Sequence, residues 1–146
     1  MANQSIRIYE GKYEYSQNLC FTWDGEFIYE GPYSYTNKIK WAFDGTYFYD
    51  DRFKKTQSII ACWDGKHLYR GRYFHTSEIV FTVMDGYIYA GRGFSDNEIW
   101  CSIANNNVYN SRYQHSSGIL FNSEKSIPDI IMTWIVGYQE VLPLGW

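Results

Sequence analysis

The chain has 146 residues, the length of a single domain, and a formal net charge of −3 at pH 7. Aromatic residues make up 21% of the chain, and this much apolar surface needs a buried core, which excludes a disordered chain. The acidic balance argues against a general nucleic-acid binder. Residues 1–7 hold no apolar signal segment, and no stretch approaches the roughly 20 apolar residues of a membrane-spanning helix. We therefore expect one domain, residues 1–146, in the cytoplasm.

A period of 20 residues runs through most of the chain. One column, which we name the tyrosine comb, consists of Tyr9, Tyr29, Tyr49, Tyr69, Tyr89 and Tyr109. A second column is aliphatic: Leu19, Ile39, Ile59, Ile79, Ile99 and Ile119. Such a period predicts six copies of one small structural unit, over residues 5–122.

Each copy is predicted to form two strands. Around the comb, an apolar residue precedes the tyrosine, a glycine usually follows two residues later, and an aromatic residue follows after four, slipping to Phe94 in the fifth copy. This alternation favours a strand, in which the glycine marks a bulge, a bend or a site where an aromatic ring covers bare backbone. A polar pair such as Thr36-Asn37 then indicates a turn.

The second strand of each copy alternates apolar residues and ends at a tight turn. Asp-Gly follows it at Asp24, Asp44, Asp64 and Asp85, and Asn105-Asn106 in the fifth copy. These pairs are strong hairpin signals. The spacing predicts about twelve antiparallel strands of roughly eight residues, or about 26 Å each.

The turn type decides which columns share a face. A two-residue turn places Leu19, Phe21, Trp23 and Ile28 together, with the comb on the other face, whereas a three-residue turn with a bulge places Phe21 and Tyr29 together. Both alternatives remain open at this point.

The repeat ends after Phe121, and residues 123–146 are predicted to cap the array. An apolar stripe, a Ser126 cap, Pro128 and Gly137 near the end favour a helix, although the β-branched content also allows a strand. Repeat arrays need such a cap because open sheet edges promote aggregation.

The repeat resembles MORN repeats, which combine a Tyr-x-Gly-x-aromatic strand with an Asp-Gly turn. Residues 85–91 match that spacing, and residues 9–13 and 69–73 carry the strand core. The period is shorter than in that family, and three Asp-Gly turns lie one residue further from the tyrosine. The resemblance implies an elongated sheet of hairpins that docks proteins or phospholipids. A weaker likeness to choline-binding repeats lacks their opening Gly-Trp pair.

Catalysis is not predicted. His75 and His115 share a column but stand about 19 Å apart, too far for a shared metal. Cys20, Cys62 and Cys101 form no CxxC pair and have no recurring histidine partner, so we expect core thiols in a reducing compartment. No cofactor or metal site is expected.

Two columns are candidate binding surfaces. The first, the arginine row, contains Lys12, Arg52, Arg72, Arg92 and Arg112, and could follow an acidic protein or lipid surface. Its alternatives are cross-strand pairing with Glu10, Glu30, Asp50 and Asp51, or a role only in the solubility of a sheet face. The second is the tyrosine comb, as an aromatic trough for a sugar or a cation, with ring-over-glycine packing as the alternative.

We therefore predict an all-β antiparallel meander of six hairpins. An open, twisted single-layer array is favoured over a closed barrel. The expected function is a non-catalytic interaction module for a protein or an anionic lipid surface. Carbohydrate or small-ligand binding, and self-association into homo-oligomers, are the alternatives.

Overall fold

The computed structural model describes residues 5–93 and 95–142. The twelve predicted strands and the C-terminal helix are present. In chain order they are β1 (Ile6–Glu10), β2 (Leu19–Trp23), β3 (Phe27–Glu30), β4 (Ile39–Phe43), β5 (Tyr47–Tyr49), β6 (Ile59–Trp63), β7 (His67–Arg70), β8 (Ile79–Met84), β9 (Tyr87–Ala90), β10 (Ile99–Ala104), β11 (Asn107–Tyr109), β12 (Ile119–Ser123) and α1 (Asp129–Val141). The predicted slip to Phe94 and the end of the predicted cap, residues 143–146, lie outside the described residues.

The strands are shorter than predicted, at three to six residues. Each odd-numbered strand is followed by an eight-residue segment that the sequence pattern assigned largely to strands. We name these segments the outer loops: 11–18, 31–38, 51–58, 71–78, 91–98 and 111–118. Each outer loop ends in one 3₁₀ turn, such as Ser16–Asn18, which accounts for the polar pair of each copy.

The sheet is a closed barrel, so the prediction of an open array is wrong. Strands β1 and β12 pair through Ile8 and Ser123, Tyr9 and Asn122, and Glu10 and Phe121. Closure removes both edges of the sheet, and it gives the apolar residues an interior. The described strands therefore leave no open sheet edge along which two copies could pair.

The register places the comb on the outer face. Trp23 stands opposite Ile28, and Thr22 stands opposite Tyr29. Phe21, Trp23 and Ile28 thus face the interior together, as the two-residue turn predicts. Leu19 departs from that prediction, because a bulge in the β1–β2 pairing places it opposite Tyr9 on the outer face.

Helix α1 fills the barrel. Trp134 is fully buried, stacks on Phe48 of β5 at 4.2 Å between ring centroids, and meets Trp41 of β4 edge-to-face at 5.5 Å. On another side, an added Cβ at Gly137 would lie 2.6 Å from the Phe81 ring. A helix that is apolar on nearly all sides belongs in an interior, so the segment packs inside the barrel instead of capping its edge.

The helix ends differ from the predicted ones. Ser126 is not the cap: the helix starts after Pro128, whose carbonyl accepts the N–H groups of Ile131 and Met132 at 2.9 and 3.2 Å. Gly137 lies inside the helix, where the contact with Phe81 requires a missing side chain. Arg70 at the end of β7 binds the other helix end, donating to the carbonyls of Glu140 and Val141 at 2.7 and 2.8 Å.

Candidate functional site

The tyrosine comb forms a belt around the outer wall. Its rings are only 6–8% exposed. Around the barrel each tyrosine pairs with a small, almost fully buried residue of the neighbouring strand: Thr22, Ala42, Cys62, Thr82, Ser102 and Asn122. Small neighbours leave room for the rings to lie against the wall. These rings are therefore not open to a ligand.

The hydroxyls of three comb tyrosines are held by the carboxylate of their own hairpin turn. Tyr29 donates to Asp24 at 2.6 Å, and Tyr49 to Asp44 and Tyr69 to Asp64 at 2.7 Å each. Burial, with the neighbouring carboxylate adding to it, raises the pKa of Tyr49 and of Tyr69 to about 12. The comb hydroxyls of these copies are therefore structural donors.

The same carboxylates organise the turns. Asp44 Oδ1 accepts the N–H groups of Thr46 and Tyr47 at 2.9 and 2.7 Å, while Gly45 takes a φ of 101°. Burial opposes ionisation of Asp44, but these N–H groups and the Tyr49 hydroxyl outweigh it and lower the pKa of the carboxyl group. The row of turn aspartates therefore has a structural role in forming the hairpins.

The repeated glycines mark bends at which the chain leaves the barrel. Gly11, Gly31, Gly71 and Gly91 have φ values between 71° and 89°, and an added Cβ would meet nothing within 4 Å. The glycines are thus needed for their backbone conformation, and ring-over-glycine packing does not occur at them. A small residue that pairs with a comb tyrosine also holds a bend: the hydroxyl group of Thr82, opposite Tyr89, donates to the Gly91 carbonyl at 2.7 Å.

The outer loops lie against the wall of the barrel. The Arg7 Nε group on β1 donates to the Pro32 carbonyl at 3.4 Å, and Lys54 forms an ion pair with Glu26. The outer loop after β3 thus contacts β1, and the one after β5 contacts the residue that precedes β3.

The exposed aromatic side chains of the described residues all lie on these outer loops. They are 47–63% exposed and comprise Tyr13, Tyr15, Tyr33, Tyr35, Phe53, Tyr73, Phe74 and Tyr113. Tyr13 stacks on Tyr15 at 5.0 Å, and Tyr33 on Tyr35 at 5.2 Å. Sequence reasoning missed this set because it extended the strands through it. The glycine two residues after four of the six comb tyrosines, which takes a left-handed φ, was the signal that ends the strand.

The arginine row lies on the outer loops beside these rings. The guanidinium carbons of Arg52, Arg72 and Arg112 lie 4.7, 5.2 and 5.0 Å from the ring centroid of the aromatic residue that follows each arginine. The ammonium nitrogen of Lys12 lies 5.2 Å from the centroid of the Tyr13 ring. Arg92 is exposed. Within 5–93 and 95–142, no ion pair joins the row to a carboxylate, so the predicted cross-strand pairing is not seen.

Charge is divided between the outer loops and the rest of the molecule. The outer loops carry eight of the 13 Lys and Arg residues but only five of the 16 Asp and Glu residues. Their formal charge is thus +3, and that of the remaining chain is −6. The outer loops are therefore the positively charged part of the molecule.

Grooves separate consecutive outer loops. The Tyr9 groove, about 330 Å³, is lined by Arg7, Tyr9, Glu14, Ser16, Leu19, Pro32 and Tyr33. The Tyr49 groove, about 490 Å³, is lined by Tyr47, Tyr49, Thr56, Ile59, Arg72, Tyr73 and Phe74. Most residues of the Tyr9 groove have a counterpart in the Tyr49 groove that lies 40 positions later in the chain, as Tyr9 and Tyr49 do. Both grooves are therefore versions of one repeated feature.

The cysteines and histidines of the described residues are dispersed. Within residues 5–93 and 95–142, no group of three or more His, Cys, Asp or Glu residues could hold a metal ion. Burial raises the pKa of Cys20 and Cys101 to about 12 and that of Cys62 to about 11, so none is a ready thiolate. His75 and His115 are exposed on outer loops, beside Tyr73 and Tyr113.

The part of the chain that the structure describes contains no helix long and apolar enough to cross a membrane. A comparison with curated proteins found no relative, and a comparison with solved structures found none either.

A family model described as "6-fold beta flower protein" matches residues 8–135. The match agrees with the closed ring of six hairpins and includes the first part of α1. It supports the predicted hairpin repeat in general terms, and it is not a match to the MORN family. The chain belongs to the 6-fold beta flower protein family.

Proposed function

We propose that this protein is a non-catalytic interaction module that docks an acidic protein partner through its outer loops. The observation that carries the proposal is the set of eight large aromatic side chains that stand 47–63% exposed on those loops. Exposed apolar side chains that group together mark interaction surfaces, and here Tyr13 stacks on Tyr15 and Tyr33 on Tyr35.

The chemistry of the loops favours a protein partner. Tyrosine and arginine are enriched at the energetic centres of protein interfaces. Here the guanidinium group of Arg112 lies over the Tyr113 ring and donates to its hydroxyl at 2.8 Å, which orders both side chains before binding. Ordering in advance lowers the entropy cost of association.

A cytoplasmic setting is part of this proposal. All three cysteines are free thiols, two of them buried, as expected for a reducing compartment.

The experiment compares capture by the wild-type protein with capture by a triple charge reversal, Arg52→Glu, Arg72→Glu and Arg112→Glu. Captured proteins are identified by mass spectrometry and then titrated in purified form at several salt concentrations. We expect an acidic partner whose affinity falls with salt and is lost in the triple variant. Lys66→Glu, an exposed charge change at a hairpin turn, is the control and should bind normally.

Two outcomes contradict the proposal. Binding of a partner that survives the triple reversal would place the interface elsewhere on the barrel. Binding only to phosphatidylserine vesicles, with no purified protein partner, would assign the outer loops to a membrane surface instead.

A further inference from the structure

The Tyr49 groove has walls suited to a flat apolar group. Tyr47 and Tyr49 meet edge-to-face at 6.3 Å, and Phe74 meets Tyr69 edge-to-face at 5.2 Å. Ile59 and Tyr73 add further apolar surface. Edge-to-face contacts hold rings in fixed orientations, so this groove is bounded by ordered aromatic surface.

One cation faces this apolar surface. Arg72 lines the groove with its guanidinium group over the Tyr73 ring, and it forms no ion pair with a carboxylate of the described residues. A guanidinium group donates two parallel hydrogen bonds to a carboxylate or a phosphate, even while it is stacked on a ring. The groove can therefore bind an anion at one side of its apolar walls.

The lining argues against a sugar. It contains the Thr56 hydroxyl and tyrosine hydroxyls, of which that of Tyr49 is already donated to Asp44, and no carboxylate or carboxamide side chain. A polyhydroxylated ligand would leave many of its polar groups without partners, which weakens binding.

We propose that the Tyr49 groove binds an aromatic ring that carries one anionic group, a phosphate or a carboxylate. The ring packs among Tyr47, Tyr73 and Phe74, beside the largely buried Tyr49, and the anion pairs with Arg72. This inference goes beyond the docking role of the outer loops, since it concerns one groove and one ligand chemistry.

The two positions that supply the cation and the aromatic wall vary among the copies. In the Tyr9 groove, Pro32 and Ser34 stand at the positions of Arg72 and Phe74. In the fifth copy the equivalents are Arg112 and Gln114, so a cation is present without the aromatic wall. Of the two grooves described above, the Tyr49 groove is the one that combines arginine with phenylalanine, a pair that recurs in the sequence as Arg92 and Phe94.

The test is calorimetric titration of the full chain with phenyl phosphate, cyclohexyl phosphate and inorganic phosphate. We expect phenyl phosphate to bind more tightly than the other two ligands. Arg72→Gln should weaken it by about tenfold or more, because a charge-assisted hydrogen bond is lost. Phe74→Ser, which copies the Tyr9 groove, should weaken it too. Both side chains are exposed, so the variants are expected to fold, which circular dichroism verifies.

Lys66→Gln is the control, since it removes one exposed positive charge at a hairpin turn outside the groove, and it should leave phenyl phosphate binding unchanged. Absence of phenyl phosphate binding, equal weakening by Lys66→Gln, or equal affinity for cyclohexyl phosphate would overturn the proposal. A phosphotyrosyl peptide that binds more tightly than phenyl phosphate would identify the source as a protein partner. Equal affinity would identify a free aromatic metabolite.

Discussion

Gly137 of α1 lies against Phe81 of β8, so that an added Cβ would come within 2.6 and 2.8 Å of two ring carbons. The Trp100 ring behind it, 3.3 Å from the same position, stacks on Phe81 at 5.1 Å between centroids. The helix therefore fits the barrel at this point only because a side chain is missing.

Gly137→Ala is expected to destabilise the protein, although alanine is the better helix former by about 1 kcal/mol. Overpacking a closed interior costs about 1–3 kcal/mol, which exceeds that gain. Urea unfolding measures the difference. Gln139→Ala on the exposed part of the same helix is the control and should be neutral within about 0.5 kcal/mol. A more stable Gly137→Ala variant would show that the helix can shift away from Phe81.

The Tyr49–Asp44 hydrogen bond should contribute to stability only when both partners are present. Tyr49→Phe removes the hydroxyl that lies 2.7 Å from the Asp44 carboxylate, and we expect a cost of about 1–3 kcal/mol for a hydrogen bond to a charged group. A double-mutant cycle with Asp44→Asn measures the coupling. Purely additive single effects would mean that the bond has no net value.

Alkaline pH should destabilise the fold through the same tyrosines. The pKa of Tyr49 and of Tyr69 is raised to about 12, whereas an unfolded tyrosine titrates near pH 10. Folding therefore favours the protonated phenol, and this contribution is full below about pH 10 and is lost as the pH rises towards 12. Unfolding free energies at pH 8 and pH 11 measure the loss. A Tyr49→Phe, Tyr69→Phe variant should lose less between the two pH values than the wild-type protein does.

Local features of this fold were predictable, and long-range ones were not. The 20-residue period and the turn aspartates identified six hairpins, because both signals depend on neighbouring residues. Closure was missed because Tyr9 pairs with Asn122, far away in sequence, and no local pattern specifies that contact. The position of α1 was missed for the same reason: its apolar residues fit a cap as well as an interior helix.

The candidate site shows the same division. The arginine row was found as a column, but its stacking on loop rings depends on the bends at Gly11 and its equivalents. The sequence pattern could not distinguish buried from exposed tyrosines. Tyr9 belongs to the buried belt and Tyr13 to the exposed loops, although they are only four residues apart.

Arg70 is expected to hold the end of α1 in the barrel. Its Nε and Nη2 groups donate to the carbonyls of Val141 and Glu140, which are left without partners inside the helix. Arg70→Gln should cost about 1–2 kcal/mol and should accelerate amide hydrogen exchange at the C-terminal turn of α1 more than in β7, because fraying is local. Arg70→Lys should restore little of the lost stability, since an ammonium group cannot reproduce the two-point contact of the guanidinium group with the two carbonyls. Hydrogen exchange of Arg72→Gln, which alters a loop arginine nearby in sequence, provides the control. Uniform acceleration across barrel and helix in Arg70→Gln would mean that the arginine stabilises the whole fold instead of the helix end.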